Sequence, residues 1–321
     1  MMKTTKFLAI SLCCAFAVLS AVFLQVSYAA DHLNVEWNDS VGVVVEDLAY
    51  GEGELNNYDL YLPADASRDG YGLVVFIHGG GFTGGDKRDD RRWLKYFASK
   101  GFVGAGINYT LRKRDNVVNL TDMTNEIKSS VPIVVAEATK RGYPIKKMAI
   151  GGLSAGACLA MIYAYRDGRE SPAPVECVIQ MVGPTTFEPE VWGKNRMNAA
   201  QIAQFSAAWV QFMTGAEITA DMMTNGEYKK PLKLISPDAL VDEHTPPTLC
   251  AYGAQDKIVP FESAKRLTDA FDRFGIAYDY IEFPNSGHML SNDPDKTDLF
   301  FTKLDEYLAK YVAVGAESSG Q

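Results

Sequence analysis

Histidine and cysteine are both scarce in this chain. The 321 residues hold 4 histidines and 5 cysteines. Cys13 and Cys14 fall in an apolar N-terminal run, and no small residue precedes either in the pattern that marks lipid attachment. That leaves Cys158, Cys177 and Cys250 for the body of the chain. All three sit in apolar helix or strand patterns, with no C-x-x-C and no Cys/His cluster nearby. Neither a zinc site nor a disulfide scaffold is expected, and the three read as buried small hydrophobes. A basic run is also missing, which argues against a nucleic-acid partner. No second long apolar stretch follows the first, so the mature body is expected to stay out of the membrane.

The N-terminus carries its own pattern. Lys3 and Lys6 precede an apolar run from Phe7 to Leu24, and Ser27-Tyr28-Ala29 offers small residues where a signal peptidase reads. This predicts a secretory signal, residues 1–29, cleaved after Ala29, and a secreted or periplasmic mature protein. The competing reading is an uncleaved N-terminal membrane anchor, since the run approaches the length that spans a bilayer. Removing residues 1–29 loses two lysines and no acid, which takes the formal net charge from −9 to −11. Such acidity describes a solvated surface and names no substrate.

Beyond the signal, strand and helix patterns alternate. Val41–Leu48 and Tyr58–Leu62 read as a hairpin pair around Gly51-Glu52-Gly53. Leu73–Ile77, Phe102–Tyr109, Lys147–Gly151, Val175–Val182, Thr248–Tyr252 and Tyr278–Phe283 read as further strands. Helices are predicted over Asp90–Lys100, around Ile127–Ala138, over Ser154–Arg166 and Glu262–Phe274, and in a closing segment marked by Leu304, Leu308, Tyr311 and Val312. Apolar strands alternating with amphipathic helices predict an α/β fold with a mostly parallel sheet covered on both faces. The stretch 184–237 breaks the rhythm with Trp192, Trp209, Phe205, Phe212, Met197, Met213, Met222 and Met223. It reads as a helical insertion within one catalytic domain, residues 30–321, forming a lid or pocket wall over the sheet's carboxyl edge.

Chemistry concentrates in Gly152-Leu153-Ser154-Ala155-Gly156. G-x-S-x-G is the spacing that puts a serine on a sharp turn between strand and helix. A serine hydroxyl needs a base, and the base needs an orienting acid. Of the histidines, His32 lies at the mature N-terminus, His78 opens a glycine loop and His244 sits in a charged loop. His288 follows a late strand and is the candidate base. Asp256 follows the strand Thr248–Tyr252 and is the candidate acid. Asp242 and Glu243 precede that strand, and Glu262 opens a helix, where an acid is explained by the helix dipole. The oxyanion needs donors set in advance. The Ala155 N–H is one, and Gly80 and Gly81 of His78-Gly79-Gly80-Gly81 are the others, because glycine lets backbone approach closely. His78 is expected to position this loop. Phe82, Trp192 and Trp209 are the candidate pocket residues.

These residues resemble the α/β-hydrolase superfamily over essentially the whole mature chain, in its H-G-G-G esterase/lipase branch. The order Ser154, Asp256, His288 is the order of that fold. Tyr58-Asp59-Leu60-Tyr61-Leu62-Pro63, the His78–Phe82 loop with Gly85-Asp86-Lys87, and the Gly253-Ala254-Gln255-Asp256 loop are similar to xylan (acetyl or feruloyl) esterase-like members. The resemblance implies carboxylic ester hydrolysis of a small ester or acylated carbohydrate, without metal or organic cofactor. Gly85-Asp86-Lys87 also resembles formamidase-like hydrolases, so amide cleavage is the alternative. A non-catalytic binding protein on the same fold is a third reading, against which the full set of nucleophile, acid, base and donors argues. Lipase-like relatives carry G-D-S-A-G-G; here Leu153 replaces the acid, which points toward the carbohydrate-esterase-like side, while Ala157 in place of the last glycine is a small change within the first helical turn.

Overall fold

The computed structural model describes residues 29–193 and 199–314. The predicted signal lies outside the described residues except for Ala29, as does Met197 of the predicted lid. The described chain joins the body at once. A helical turn, Ala29–His32, stacks His32 on the Phe301 ring at 4.3 Å, and Leu33 is buried just beyond it.

One sheet of eight strands organises the rest. β1 (Gly42–Ala49) and β2 (Asn57–Pro63) pair antiparallel, as the hairpin reading expects. β3 (Tyr71–Ile77), β4 (Val103–Ile107), β5 (Ile145–Leu153), β6 (Val175–Met181), β7 (Thr248–Gly253) and β8 (Tyr278–Phe283) run parallel to one another. The spatial order is β1-β2-β4-β3-β5-β6-β7-β8, with β2 antiparallel to β4. β3 and β5 lie side by side at the centre, so the loops after them meet. β3 shows why: all seven of its residues are buried, Leu73, Val75 and Ile77 on one face, Val74 and Phe76 on the other. A strand apolar on both faces belongs inside a covered parallel sheet.

Helices cover both faces. α1 (Arg91–Ser99) lies on one, with Trp93, Leu94 and Phe97 in a core shared by Phe300, Phe301 and Leu304 of the late helix Pro294–Tyr307. α2 (Leu120–Lys140) and α3 (Ala155–Ile162) cover the other, joined by the later helix Glu262–Phe274. The predicted insertion is helical: α4 (Pro189–Gly193), α5 (Ala199–Thr214), α6 (Ala220–Asn225), α7 (Lys229–Lys233) and α8 (Pro237–Leu240). The two late helices are then α9 (Glu262–Phe274) and α10 (Pro294–Tyr307).

Several boundaries differ from the sequence reading; the closing helix, read from Leu304 onward, starts at Pro294, and the strand read as Lys147–Gly151 runs from Ile145 to Leu153. α2 starts at Leu120, well before Ile127, because Asn119 and Asp122 form a capping box that satisfies N–H groups of the first turn. The helix after the serine stays α-helical only to Ile162 and then widens into a π-type turn, Tyr163–Asp167. Cys158, Cys177 and Cys250 are buried free thiols, as expected.

Candidate active site

The serine turn is forced by close approach. A Cβ on Gly152 would stand 2.3 Å from the Ile77 carbonyl oxygen, and one on Gly156 only 1.9 Å from it. Both flanking positions of G-x-S-x-G press on the end of β3, so only glycine fits. Ser154 itself is held at φ 53, a left-handed conformation that side-chain-bearing residues rarely adopt. The Met181 carbonyl accepts the Ser154 N–H at 2.8 Å and ties the turn to β6. Leu153, preceding the serine, packs against the α1/α10 core, on the far side of the sheet from α3.

Ser154, His288 and Asp256 come together although they are far apart in the chain. His288 Nε2 lies 2.8 Å from Ser154 Oγ, and His288 Nδ1 lies 2.7 Å from Asp256 Oδ2. The second oxygen of Asp256, Oδ1, accepts the N–H groups of Ile258 at 2.7 Å and Val259 at 3.1 Å. The carboxylate is therefore fixed by backbone before it meets the imidazole. An acceptor at Nδ1 makes that nitrogen the protonated one, which leaves the Nε2 lone pair for the serine hydroxyl. The competing acids are elsewhere: Asp242 pairs with Arg169 at 2.6 Å, Glu243 is exposed, and Glu262 opens α9.

The glycine loop lies beside this trio. A Cβ on Gly79 would be 3.4 Å from the Ser154 Cβ. Gly80 and Gly81 have φ 116 and 60. Among the described residues the N–H groups of Gly80, Gly81 and Ala155 have no hydrogen-bond partner, so the residue after the serine and the two glycines following Gly79 carry unused donors. His78 holds the loop from beneath. Its Nδ1 donates to the Gly79 carbonyl at 2.7 Å, and its ring stacks on Tyr109 at 4.5 Å. Complete burial pushes its imidazole below the usual histidine range, so it stays neutral.

Phe82, Trp192 and Trp209 share one apolar pocket. Phe82 faces Phe187 at 6.3 Å, Phe187 stacks on Trp192 at 5.9 Å, and Trp192 meets Trp209 at 5.4 Å. Gly81 also lines the pocket, and α5 and the start of α2 wall it through Phe212, Met213, Leu120 and Met123. Arg112 fastens this wall: Nη1 donates to the carbonyls of Val118 at 2.8 Å and Phe212 at 3.0 Å.

The BD-FAE family model matches residues 58–271. The chain belongs to the BD-FAE family. The matched BD-FAE segment takes in Gly80, Gly81, Ser154, Ala155 and Asp256 and ends before His288. LipM of Mycobacterium tuberculosis, a probable carboxylic ester hydrolase, is 27% identical over 228 residues, covering 70% of this chain and 50% of LipM. A kynurenine formamidase of Salmo salar is 29% identical over 118 residues, 37% of each chain. The chain thus spans half or less of the length of these curated relatives. Esterase B of Lactobacillus rhamnosis has a similar structure, with TM-score 0.69 at 18% identity over 94% of this chain and 96% of that one. That likeness is one of fold.

Two residues of this BD-FAE chain escaped the chemical reading of the sequence. Lys87 is fully buried, its Nζ 2.6 Å from Asp59 and 2.5 Å from Asp47. Its signal was present, since Asp59 and Lys87 both lie in stretches singled out by resemblance, but nothing local shows that they meet. Asp293, just before Pro294, carries no signal in the sequence beyond its place ahead of a proline; it is the N-cap residue of α10, and its side chain makes no capping bond there.

Proposed function

We propose that the protein is an exported serine carboxylesterase acting on short-acyl esters. The observation that carries this is the continuous Ser154–His288–Asp256 chain of contacts beside three unused backbone donors. In this reading His288 Nε2 takes the Ser154 proton as Oγ attacks the ester carbonyl. The oxyanion that forms is received by the N–H groups of Gly80, Gly81 and Ala155. Asp256 stabilises the imidazolium and holds its orientation. Collapse transfers the proton from His288 to the departing alcohol and leaves an acyl-Ser154. Water then attacks with His288 again as base, and the acid is released.

The apolar pocket that Gly81 lines together with Trp192, Trp209 and Phe212 supports a place for the acyl group. Bulky aromatics lining the pocket favour short chains. Acyl groups on carbohydrate, acetyl or feruloyl, are the finer reading, supported by the xylan-esterase-like stretches at Tyr58–Pro63 and His78–Lys87. The formamidase relative supports a second reading, cleavage of a formamide by the same residues.

A substrate panel on the mature protein tests both. It comprises p-nitrophenyl acetate, butyrate and octanoate, acetylated xylan, a feruloylated xylo-oligosaccharide and N-formylkynurenine. Acetate or butyrate should lead among the simple esters. Octanoate cleavage with none of acetate contradicts the short-acyl reading, and dominant N-formylkynurenine cleavage favours the formamidase. Ser154→Ala should abolish turnover; persistence of hydrolysis sinks the serine mechanism. Export rests on Lys3, Lys6 and the Phe7–Leu24 run. N-terminal sequencing should start at Ala30, whereas a membrane-bound chain starting at Met1 means an anchor.

A further inference from the structure

Asp293 sits where a helix cap should be and does not cap. It is the N-cap residue of α10, a position where aspartate normally accepts N–H groups of the first turn. Its side chain makes no such bond. The carboxylate turns back to the loop between β8 and α10, the loop that carries His288. Oδ2 accepts Ser286 Oγ–H at 2.6 Å, Oδ1 accepts Asn285 Nδ2–H at 2.8 Å, and the Asn285 N–H reaches both oxygens at 3.1–3.2 Å. Asp293 is 3% exposed and Ser286 is fully buried. An α10 cap alone would not need this geometry.

The bonds continue into the other loop. The Ser286 carbonyl accepts the Gln255 N–H at 2.9 Å, and Gln255 is the residue before Asp256. Ser286 Oγ in turn accepts the Asn292 N–H at 2.9 Å, closing the His288 loop on itself. The two loops touch so closely that a Cβ on Gly253 would meet the Gly287 carbonyl oxygen at 2.2 Å. A run of short contacts thus leads from α10 through Asp293 and Ser286 to the chain beside Asp256, with His288 two residues beyond Ser286.

We propose that Asp293, through Ser286, is the positioning residue that sets the Asp256–His288 geometry. The proposal rests on the serine-hydrolase reading of those two residues. The acid and base sit on separate loops, which by themselves are the mobile parts of such a fold. Backbone bonds from the Gln255 N–H to the Ser286 carbonyl and from the Ala254 N–H to the Phe283 carbonyl join the two loops. Asp293 anchors the His288 side of that junction, holding Asn285 and Ser286 from the start of α10. A misplacement of about 1 Å in a catalytic group costs on the order of 100-fold in rate.

The test uses Asp293→Ala, Asp293→Asn and Ser286→Ala in the mature protein. Active sites are counted by stoichiometric phosphonylation of Ser154, so that misfolded molecules drop out. Asp293→Ala should lower kcat per titrated site by about 10–100-fold with KM within about twofold. Asp293→Asn keeps a carbonyl acceptor and should recover most of the loss. The low-field proton NMR resonance of the His288 Nδ1–H bridging to Asp256 should broaden or vanish in Asp293→Ala and survive in Asp293→Asn. If Asp293→Ala does not fold, Ser286→Ala carries the same expectations. An unchanged kcat per site, a loss confined to KM, or an undisturbed resonance overturns the proposal. A wild-type protein that takes up no phosphonate overturns the serine reading instead, while the resonance still reads the tie.

Discussion

Replacing Lys87 by methionine should destabilise the protein by removing the buried ammonium that lies against Asp59. The Lys87 side chain is 0% exposed, with Nζ 2.6 Å from Asp59 and 2.5 Å from Asp47. Asp59 is also buried, whereas Asp47 is 61% exposed and can return to water. Asp47 reaches Lys87 because β1 shifts register between Val45 and Leu48 and holds Asp47 at φ 56. Without the ammonium, Asp59 keeps one donor, the Asp47 N–H at 2.8 Å, and its Oδ2 has no hydrogen-bond partner among the described residues. Removing one partner of a buried pair costs about 3–5 kcal/mol, chiefly through the charge left behind. For a chain of this size each kcal/mol moves Tm by roughly 2–4 °C, so a fall of about 6–20 °C is expected. Thermal unfolding followed by circular dichroism at 0.15 M and 1 M salt measures it. A pair sealed from solvent is poorly screened, so the loss should be similar at both salts. Adding Asp59→Asn to Lys87→Met should recover part of the loss by neutralising the orphaned charge. A loss below about 1 kcal/mol, or one that disappears at 1 M salt, refutes the reasoning.

Three other perturbations follow from the same structure. Asp90 is fully buried, and its Oδ2 has no partner among the described residues; burial, then Asp89 and Asp86, hold its carboxyl well above the usual range. The unfolded chain ionises near pH 3.9, so stability falls as pH rises from there toward the folded pKa. The Tm of Asp90→Asn minus that of the wild type should therefore climb as pH rises above about 4, and a flat difference would contradict the assignment. Gly80 has φ 116, and a Cβ there would stand 2.0 Å from the Gly84 carbonyl oxygen. Gly80→Ala should therefore displace the loop and lower kcat by at least about 100-fold per titrated site, the scale of losing one oxyanion donor; activity within threefold of wild type would exclude Gly80 from the site. Trp209 donates its Nε1–H to the Phe187 carbonyl at 2.9 Å and walls the pocket. Trp209→Ala should raise the octanoate-to-acetate ratio of kcat/KM by about 10-fold, an added pocket contact of roughly 1–3 kcal/mol. An unchanged ratio would place the acyl group elsewhere.

The sequence by itself determined the elements whose signals are local. Apolar runs bounded by glycine and proline located the strands, and the helix Glu262–Phe274 and strand Tyr278–Phe283 have the bounds read from periodicity. The mostly parallel sheet followed, because buried strands and amphipathic helices alternate in the chain. Ser154 was legible because the turn needs glycine two residues to either side, and spacing records that. His288 and Asp256 were found by elimination among few histidines and by their place after late strands.

What tertiary structure alone decided is which distant groups meet. Ser154 and His288 are 134 residues apart, and only the β3–β5 pairing and the return of the late loops fix their 2.8 Å contact. The start of α2 was missed because its capping box is polar and adds nothing to an apolar period. Lys87 between Asp59 and Asp47, and Asp293 on Ser286, left no periodic trace. A charged residue looks like surface in sequence, since burial is a property of what the folded chain packs around it. Hydrophobic periodicity encodes which face turns inward; the pairing of individual polar groups inside depends on loop paths that only the completed fold sets.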